Sequence, residues 1–377
     1  MKAYAYPEFI GYGYASCLTC HYNGNGGGPL TDYGRALWSA EIASRALYPK
    51  SMSDEDIGKQ SGFFGSLPIP FWIRPHAKYR GLNLEIDPRG NDDKSMFFQM
   101  QTDFGVTLQD ETGKDALVVT VGKVVPASIY NTGKSDFADH LTVRESFLRT
   151  EVAKTWWVYG GLMQKVYGIR NIDHSSYQRK YQGFNVNADS TNGIAESLGL
   201  IVQKVEKTWE LSVNGFFGNP ADDDDHKTSG FSSMGEYEIG ENKRLGASFM
   251  SAKSNILQKY LLGVHYRQAV GKGSAFLFEY GLIQDTPDGG NQATGSYNMI
   301  QSLILLTRGY SLKTTIERYN PEFKTSSPDN WRFGFGFLIF PLPRFEFRAE
   351  AFNLRSFDPQ ASADDSWALQ GQVHVSL

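Results

Sequence analysis

Trp331-Arg332-Phe333-Gly334-Phe335-Gly336-Phe337-Leu338-Ile339 alternates large apolar side chains with Arg, Gly, Gly and Leu. A period of two sends successive side chains to opposite faces of an extended chain. The stretch is therefore a strand with Phe333, Phe335 and Phe337 on one face and Arg332 on the other. Phe345-Glu346-Phe347-Arg348-Ala349-Glu350-Ala351 repeats the pattern, with Phe345 and Phe347 opposite Glu346, Arg348 and Glu350. Tyr260-Leu261-Leu262-Gly263-Val264-His265-Tyr266-Arg267 does so again. Aromatic residues crowd the strand ends, as in the girdles of membrane barrels, where the apolar face meets lipid and the polar face lines a lumen. A soluble all-β domain would guard its edges with charges on the apolar faces, and these strands carry none there.

Composition agrees with a barrel. The 377 residues include 39 glycines and 14% aromatics. No stretch approaches the ~20 apolar residues of a membrane helix. A formal net charge of −4 gives no basic footprint for nucleic acid. From about Pro70 onward the sequence supplies about sixteen candidate strands, within the even-numbered range of outer-membrane barrels. Tight links at 153–154, 206–207, 241–242, 271–273, 308–309 and 341–343 alternate with long polar ones at 131–139, 171–191, 219–230, 285–294, 320–330 and 356–365. Short periplasmic turns and longer external loops give this alternation and put both chain ends on the periplasmic side. Residues 67–377 are thus expected to form a monomeric transmembrane antiparallel barrel, in contact with outer-membrane lipid and lipopolysaccharide. Its last strand, 367–377, places Val373, Val375 and Leu377 on one face, like the assembly signal of outer-membrane proteins without the usual final aromatic.

Residues 1–66 follow different rules. The only two cysteines of the chain lie in Cys17-Leu18-Thr19-Cys20-His21, a C-x-x-C-H sequence of the kind that attaches a c-type haem. Each porphyrin vinyl takes one thiol, and the histidine ligates the iron. A disulfide or half a zinc site are the other readings. Zinc would need two further ligands, and there is no second cysteine pair. A redox dithiol normally sits in a βαβ unit. Ala3-Tyr4-Ala5 has the A-x-A form that ends a secretory signal, in keeping with export. Asn23-Gly24-Asn25-Gly26-Gly27-Gly28-Pro29 is a loop able to pass close to a flat cofactor. Thr31 caps a helix expected over Asp32 to Leu47, ended by Pro49, with Tyr33, Leu37 and Ala40 on one face widened by Trp38 and Ile42. Ser53 with Asp56 caps one more short turn. These signals describe a small α-helical, c-type haem domain over residues 1–66.

The sixth iron ligand is open at this point. Met52 is the first candidate, since a Met/His pair raises the potential; gap filling in a small core is its bland alternative. His76 is the second candidate. It shares the polar face of the first strand with Arg74, Lys78 and Arg80. A five-coordinate iron is the third possibility. Asp222-Asp223-Asp224-Asp225-His226 is either a cation-attracting loop or a solvated acidic one, the latter being favoured. Tyr167-Gly168-Ile169-Arg170, with Asp173, His174, Arg179 and Lys180, belongs to the longest loop, which either folds into the lumen and tunes selectivity or stays outside. No Ser-His-Asp set, phosphate loop or paired-carboxylate motif stands out.

Pro7-Glu8-Phe9 before the C-x-x-C-H, and Leu30-Thr31-Asp32-Tyr33-Gly34-Arg35-Ala36 after it, resemble the fused monohaem cytochrome–porin family of outer-membrane proteins. The resemblance is strongest over Pro7 to Trp38 and architectural over the barrel. It implies covalent haem on Cys17 and Cys20, with His21 on the iron, and electron transfer between an extracellular redox species and a periplasmic c-type cytochrome. If this is an enzyme, it is an oxidoreductase of the iron:cytochrome type. Iron-oxidising members usually follow Pro-x-Phe with Ala-Arg-Gln-Thr-Gly, where this chain reads Ile10-Gly11-Tyr12-Gly13-Tyr14, so iron stays one candidate among several. The porin partners of multihaem conduits are also similar, but they need no haem histidine of their own. The alternative function is a diffusion porin whose haem domain is a plug or a redox-sensitive gate.

Overall fold

The computed structural model describes residues 7–14, 16–60, 69–88, 94–123, 141–169, 196–222, 224–324, 329–357 and 364–377. Sixteen strands, β1 (Ile73–Pro88) to β16 (Asp364–Ser376), form one closed barrel. Each strand pairs antiparallel with its sequence neighbour. The ring shuts where β1 meets β16, from Lys78 opposite Ser376 to Pro88 opposite Ser366. Closure removes the unpaired edges that a flat sheet of such strands would expose.

The alternation places the faces as the sequence requires. On β14 (Asp329–Leu342), Phe335 is 55% exposed on the outside and Arg332 is 4% exposed on the inside. On β15 (Phe345–Phe357), Phe345 and Phe347 point outward while Glu346, Arg348 and Glu350 are buried in the lumen wall. Gly334 belongs to the inner set because a Cβ there would meet the Phe352 ring at 2.5 Å. Phe352 in turn lies under the Arg332 guanidinium, 3.7 Å from the ring centre.

The hairpins correct the expected links in detail. Pro343-Arg344 rather than 341–343 joins β14 to β15. β11 (Ala275–Pro287) and β12 (Ala293–Thr307) run further than expected, leaving only 288–292 between them. The expected alternation of short and long links also fails in places, most clearly at one link. β9 (Lys243–Lys253) and β10 (Leu257–Ala269) are joined at the long-loop end by Ser254-Asn255-Ile256, tied by Ser254 N donating to Leu257 O at 2.9 Å. The expected loops over 131–139 and 171–191 lie outside the described residues.

Before the barrel come α1 (Pro7–Gly11), a single 3₁₀ turn over Cys17–Thr19, α2 (Asp32–Leu37) and α3 (Asp54–Gln60). Thr31 caps α2 through Gly34 N at 3.2 Å, and Ser53 caps α3 through Asp56 N at 3.0 Å. The helix expected to reach Leu47 stops sooner. After α2 it widens into a π turn, Trp38–Ile42, and Ala43 is already extended. The cause is tertiary: Ser44 N donates to Phe340 O at 2.8 Å, pulling the chain onto β14 and out of the helical path.

Candidate functional site

The N-terminal segment lies in the short-turn mouth of the barrel and touches strands all round it. On one side Lys78 of β1 donates to Gly28 O, and Arg74 pairs with Asp32 at 2.7 Å. Further round, Asn23 Nδ2 donates to Glu145 on β4 (Leu141–Ala153) at 3.4 Å. Gln203 on β6 (Glu196–Val205) donates to Gly24 O at 3.2 Å. Opposite, Gly273 N in the β10–β11 turn donates to Gly11 O at 2.7 Å. Arg308, in the turn between β12 and β13 (Tyr310–Asn320), donates to Ala43 O, Ser39 O and Asp54 Oδ1, each at 2.8 Å. Gly309 beside it has φ +88, and a Cβ there would come within 2.6 Å of Ser44 N, so both backbone shape and close approach demand glycine.

This docking explains an irregularity in the strands. Leu338 and Phe340 stand on the lumen face of β14, where polar residues are expected, and both are buried. They join Phe9, Ile10, Cys20, Leu37, Trp38 and Ile42 with Leu277, Met299 and Leu303 in one apolar cluster. Trp38 meets Phe340 edge to face at 5.7 Å. Burying side chains of this size contributes ~1.5–3 kcal/mol each, so the segment is held by a core as well as by polar contacts.

Within the segment, Cys17, Cys20 and His21 occupy one turn. Cys20 N and His21 N both donate to Cys17 O, at 3.1 and 2.9 Å. The three residues thus leave a single tight turn. All three are buried. Burial, aided by Lys78, pushes the His21 imidazole down to about 3. It is neutral at physiological pH and has a lone pair for a metal. Burial, with a smaller contribution from Cys17, pushes the Cys20 thiol up to about 12. Arg149 fixes this turn to the wall, donating to His21 O at 3.3 Å and Tyr22 O at 3.1 Å. Its guanidinium lies about 5 Å from the ring centres of Tyr22 and Trp157. A cavity of about 940 Å³ opens beside Leu18, Thr19, Tyr22 and Tyr33 and is walled by Gln109, Trp157 and Lys243. Its size is at the upper end of the ~300–1,000 Å³ range of ligand and cofactor sites.

The other candidates are placed as follows. Met52 is half-buried between Pro49 and α3; its carbonyl accepts from the Arg45 guanidinium. His76 is buried on β1 with Nε2 2.9 Å from Thr120 Oγ1. His76 and His21 have Lys78 as a shared charged neighbour. Asp222 is buried near Lys165, Asp224 pairs with Lys227 at 2.8 Å, and Asp223 lies outside the described residues. No cluster of three metal-ligating side chains occurs among the described residues. Residues 165–169 do fold into the lumen. Val166 N donates to Asn214, Gly168 N to Ser248 and Ile169 N to Glu279, the last at 2.7 Å. The partners of this segment from Arg170 onward, including Asp173, His174, Arg179 and Lys180, lie outside the described residues. Ile169 packs against the apolar cluster of the N-terminal segment, so the inward segment and the N-terminal segment meet.

Arg149 and Arg308 were not distinguishable in the sequence from other strand-end cations. The usable signal was Leu338 and Phe340, apolar residues on the polar parity.

No protein-family model and no curated protein matches the chain. Solved structures do. A loop L8 deletion mutant of OmpT, an outer-membrane protein of Vibrio cholerae, has TM-score 0.59 at 10% identity over 81% of this chain and 99% of its own. The anion-selective porin from Comamonas acidovorans has TM-score 0.58 at 11% identity, covering 81% and 99%. The outer-membrane channel DcaP of Acinetobacter baumannii has 0.56 at 11%, covering 81% and 97%. At such identities the likeness concerns the fold, and that fold is the sixteen-stranded β-barrel of outer-membrane porins.

Proposed function

We propose that this chain is an outer-membrane channel whose short-turn mouth is stoppered by its own N-terminal segment, and that the segment carries a covalent haem c as a redox-sensitive gate. The observation that carries the channel reading is the porin fold with a segment anchored to opposite sides of its bore, from Arg149 on β4 to Arg308. The haem reading rests on the donor set. Cys17 and Cys20 would carry the thioether links and His21 would ligate the iron, all from one buried turn. Zinc would need two further ligands, and no cluster of three metal-ligating side chains occurs among the described residues. Met52 remains the proposed sixth ligand, with His76 its rival. The group would supply one-electron exchange; the protein's part is to hold His21 through Arg149 and to keep water from it.

A second reading, electron transfer between an extracellular donor or acceptor and a periplasmic cytochrome, is favoured by the same turn lying inside the mouth rather than on an outer surface. The apolar band of such a barrel is ~25 Å tall, so a redox partner would have to enter the lumen.

The test is purified protein from a host with haem-attachment machinery. A c-type pyridine haemochrome that survives denaturation is expected, and Met52→Ala should lower the midpoint potential if Met52 is the ligand. Planar-bilayer conductance that changes on reduction supports the gate. Unchanged conductance, together with electron exchange across liposomes, supports the carrier.

A further inference from the structure

We infer that a chloride ion binds in the seam between the N-terminal segment and the barrel, where it bridges Arg35 of the segment to Arg344 of the β14–β15 turn and locks the stopper in place. The inference rests on the stopper reading and adds a ligand that regulates it. The seam holds a cavity of about 10 Å³, room for one water molecule or one small ion. Arg35, Leu30 and Trp38 line it from the segment, while Lys78 and Arg344 line it from β1 and the turn.

Three cations thus face one small space, and none of them has a carboxylate within ion-pair distance among the described residues. Asp32, the carboxylate that acts most on Arg35, is held by Arg74 through both oxygens at 2.7 Å. Lys78 has Glu145 and Asp103 as charged neighbours and donates to Gly28 O. Arg35 uses only Nη2, on Pro75 O at 3.2 Å. The Arg344 guanidinium makes no hydrogen bond among the described residues, and its Nη2 is buried without a partner. Nε and Nη1 of both arginines stay accessible, so each has free donors for an ion in the space it lines. Burial, and then the charge of Arg35, push the Arg344 guanidinium down to about 10, so the two groups stand close enough to repel. The turn itself does not select an arginine. Arg344 has φ +75, a conformation that favours glycine or asparagine, and its carbonyl accepts from Ser376 N at 2.9 Å whatever the side chain. Size and charge then choose the occupant. Water would fill the space but leave the cations uncompensated, whereas an anion is attracted to all three. The volume admits a halide and excludes an organic anion such as gluconate.

The experiment is limited proteolysis of the full-length chain in detergent at fixed ionic strength, with sodium gluconate replaced stepwise by sodium chloride and an unstructured peptide as reference for the protease. Cleavage within residues 43–53 should slow saturably, about threefold or more, as chloride rises, and bromide should replace chloride. Arg344→Gln and, from the other side of the seam, Arg35→Gln should each abolish the dependence while the heat-modifiable barrel fraction stays that of the parent. Lys272→Gln, which removes a contact between another turn and Glu41 of the segment, should keep it. Equal cleavage of the parent in chloride and gluconate, a dependence retained in Arg344→Gln and Arg35→Gln, or one lost equally in Lys272→Gln overturns the site. Planar-bilayer conductance of the parent, measured separately, tests the stopper itself, so the two can fail independently.

Discussion

The lumen face of this barrel has two characters. Near the short turns its inward side chains are Leu277, Met299, Leu303, Leu338 and Phe340, all packed against the N-terminal segment. Further along the same strands the inward side chains are ion pairs: Arg332 with Glu317 at 3.1 Å, Lys313 with Glu350 at 2.9 Å, and Lys259 with Asp285 at 2.8 Å. The outward face, by contrast, stays apolar along its length. An inner wall that turns apolar is a wall covered by protein, and one that stays charged faces water or solute. The plug can therefore be located from the wall as well as from itself.

Substitutions can break that comparison. The largest effect is expected from removing the plug's anchor. Trp38→Ala leaves a cavity against Phe340 and should cost about 3–5 kcal/mol of docking, seen as new protease cleavage within residues 43–53 of folded protein. Phe335→Arg places a cation on the outward face at a cost of ~2–4 kcal/mol near mid-bilayer and should reduce the heat-modifiable, membrane-inserted fraction. Arg348→Ala, one strand away on the inner face, should still insert. Reversal of those two results would exchange the faces, because a one-residue slip does so for a whole strand. Arg308→Gln removes charge-assisted hydrogen bonds worth about 1.5–3 kcal/mol each when buried, less here because the pair with Asp54 is partly exposed, and should loosen the plug without unfolding the barrel.

The smallest effect is one of pH. Burial would raise the Asp54 carboxyl, but Arg308 and then Arg45 hold it below the ordinary carboxylate value. A carboxylate lowered by folding stabilises the tether above that value and ceases to do so as pH falls through the lowered pKa. Plug protection against protease should thus be constant from neutral pH to about pH 5 and decline below about pH 4. A loss on raising the pH instead would contradict the assignment.

The barrel was legible because alternation is a local property: Phe333, Phe335 and Phe337 declare a face without knowledge of the neighbouring strand. The caps at Thr31 and Ser53 are local too. What escaped was set by contacts distant in sequence. The helix after Thr31 ended early because Phe340 captures Ser44, nearly three hundred residues away. The Ser254-Asn255-Ile256 link departs from the loop-length rule with no local mark. The C-x-x-C-H turn was visible as a motif, but its seat inside the mouth depends on Arg149, Gln203 and Gly273, which no motif joins. Leu338 and Phe340 hinted at it, since they break the strand's own pattern.

The central claim is that the N-terminal segment closes the mouth of a porin barrel. Single-channel conductance in planar bilayers tests it most directly, comparing the parent chain with Trp38→Ala and Arg308→Gln. The expected result is a parent with little or no steady conductance and variants that open to porin-like levels, Trp38→Ala more often than Arg308→Gln. A parent already conducting as freely as both variants would contradict the plug.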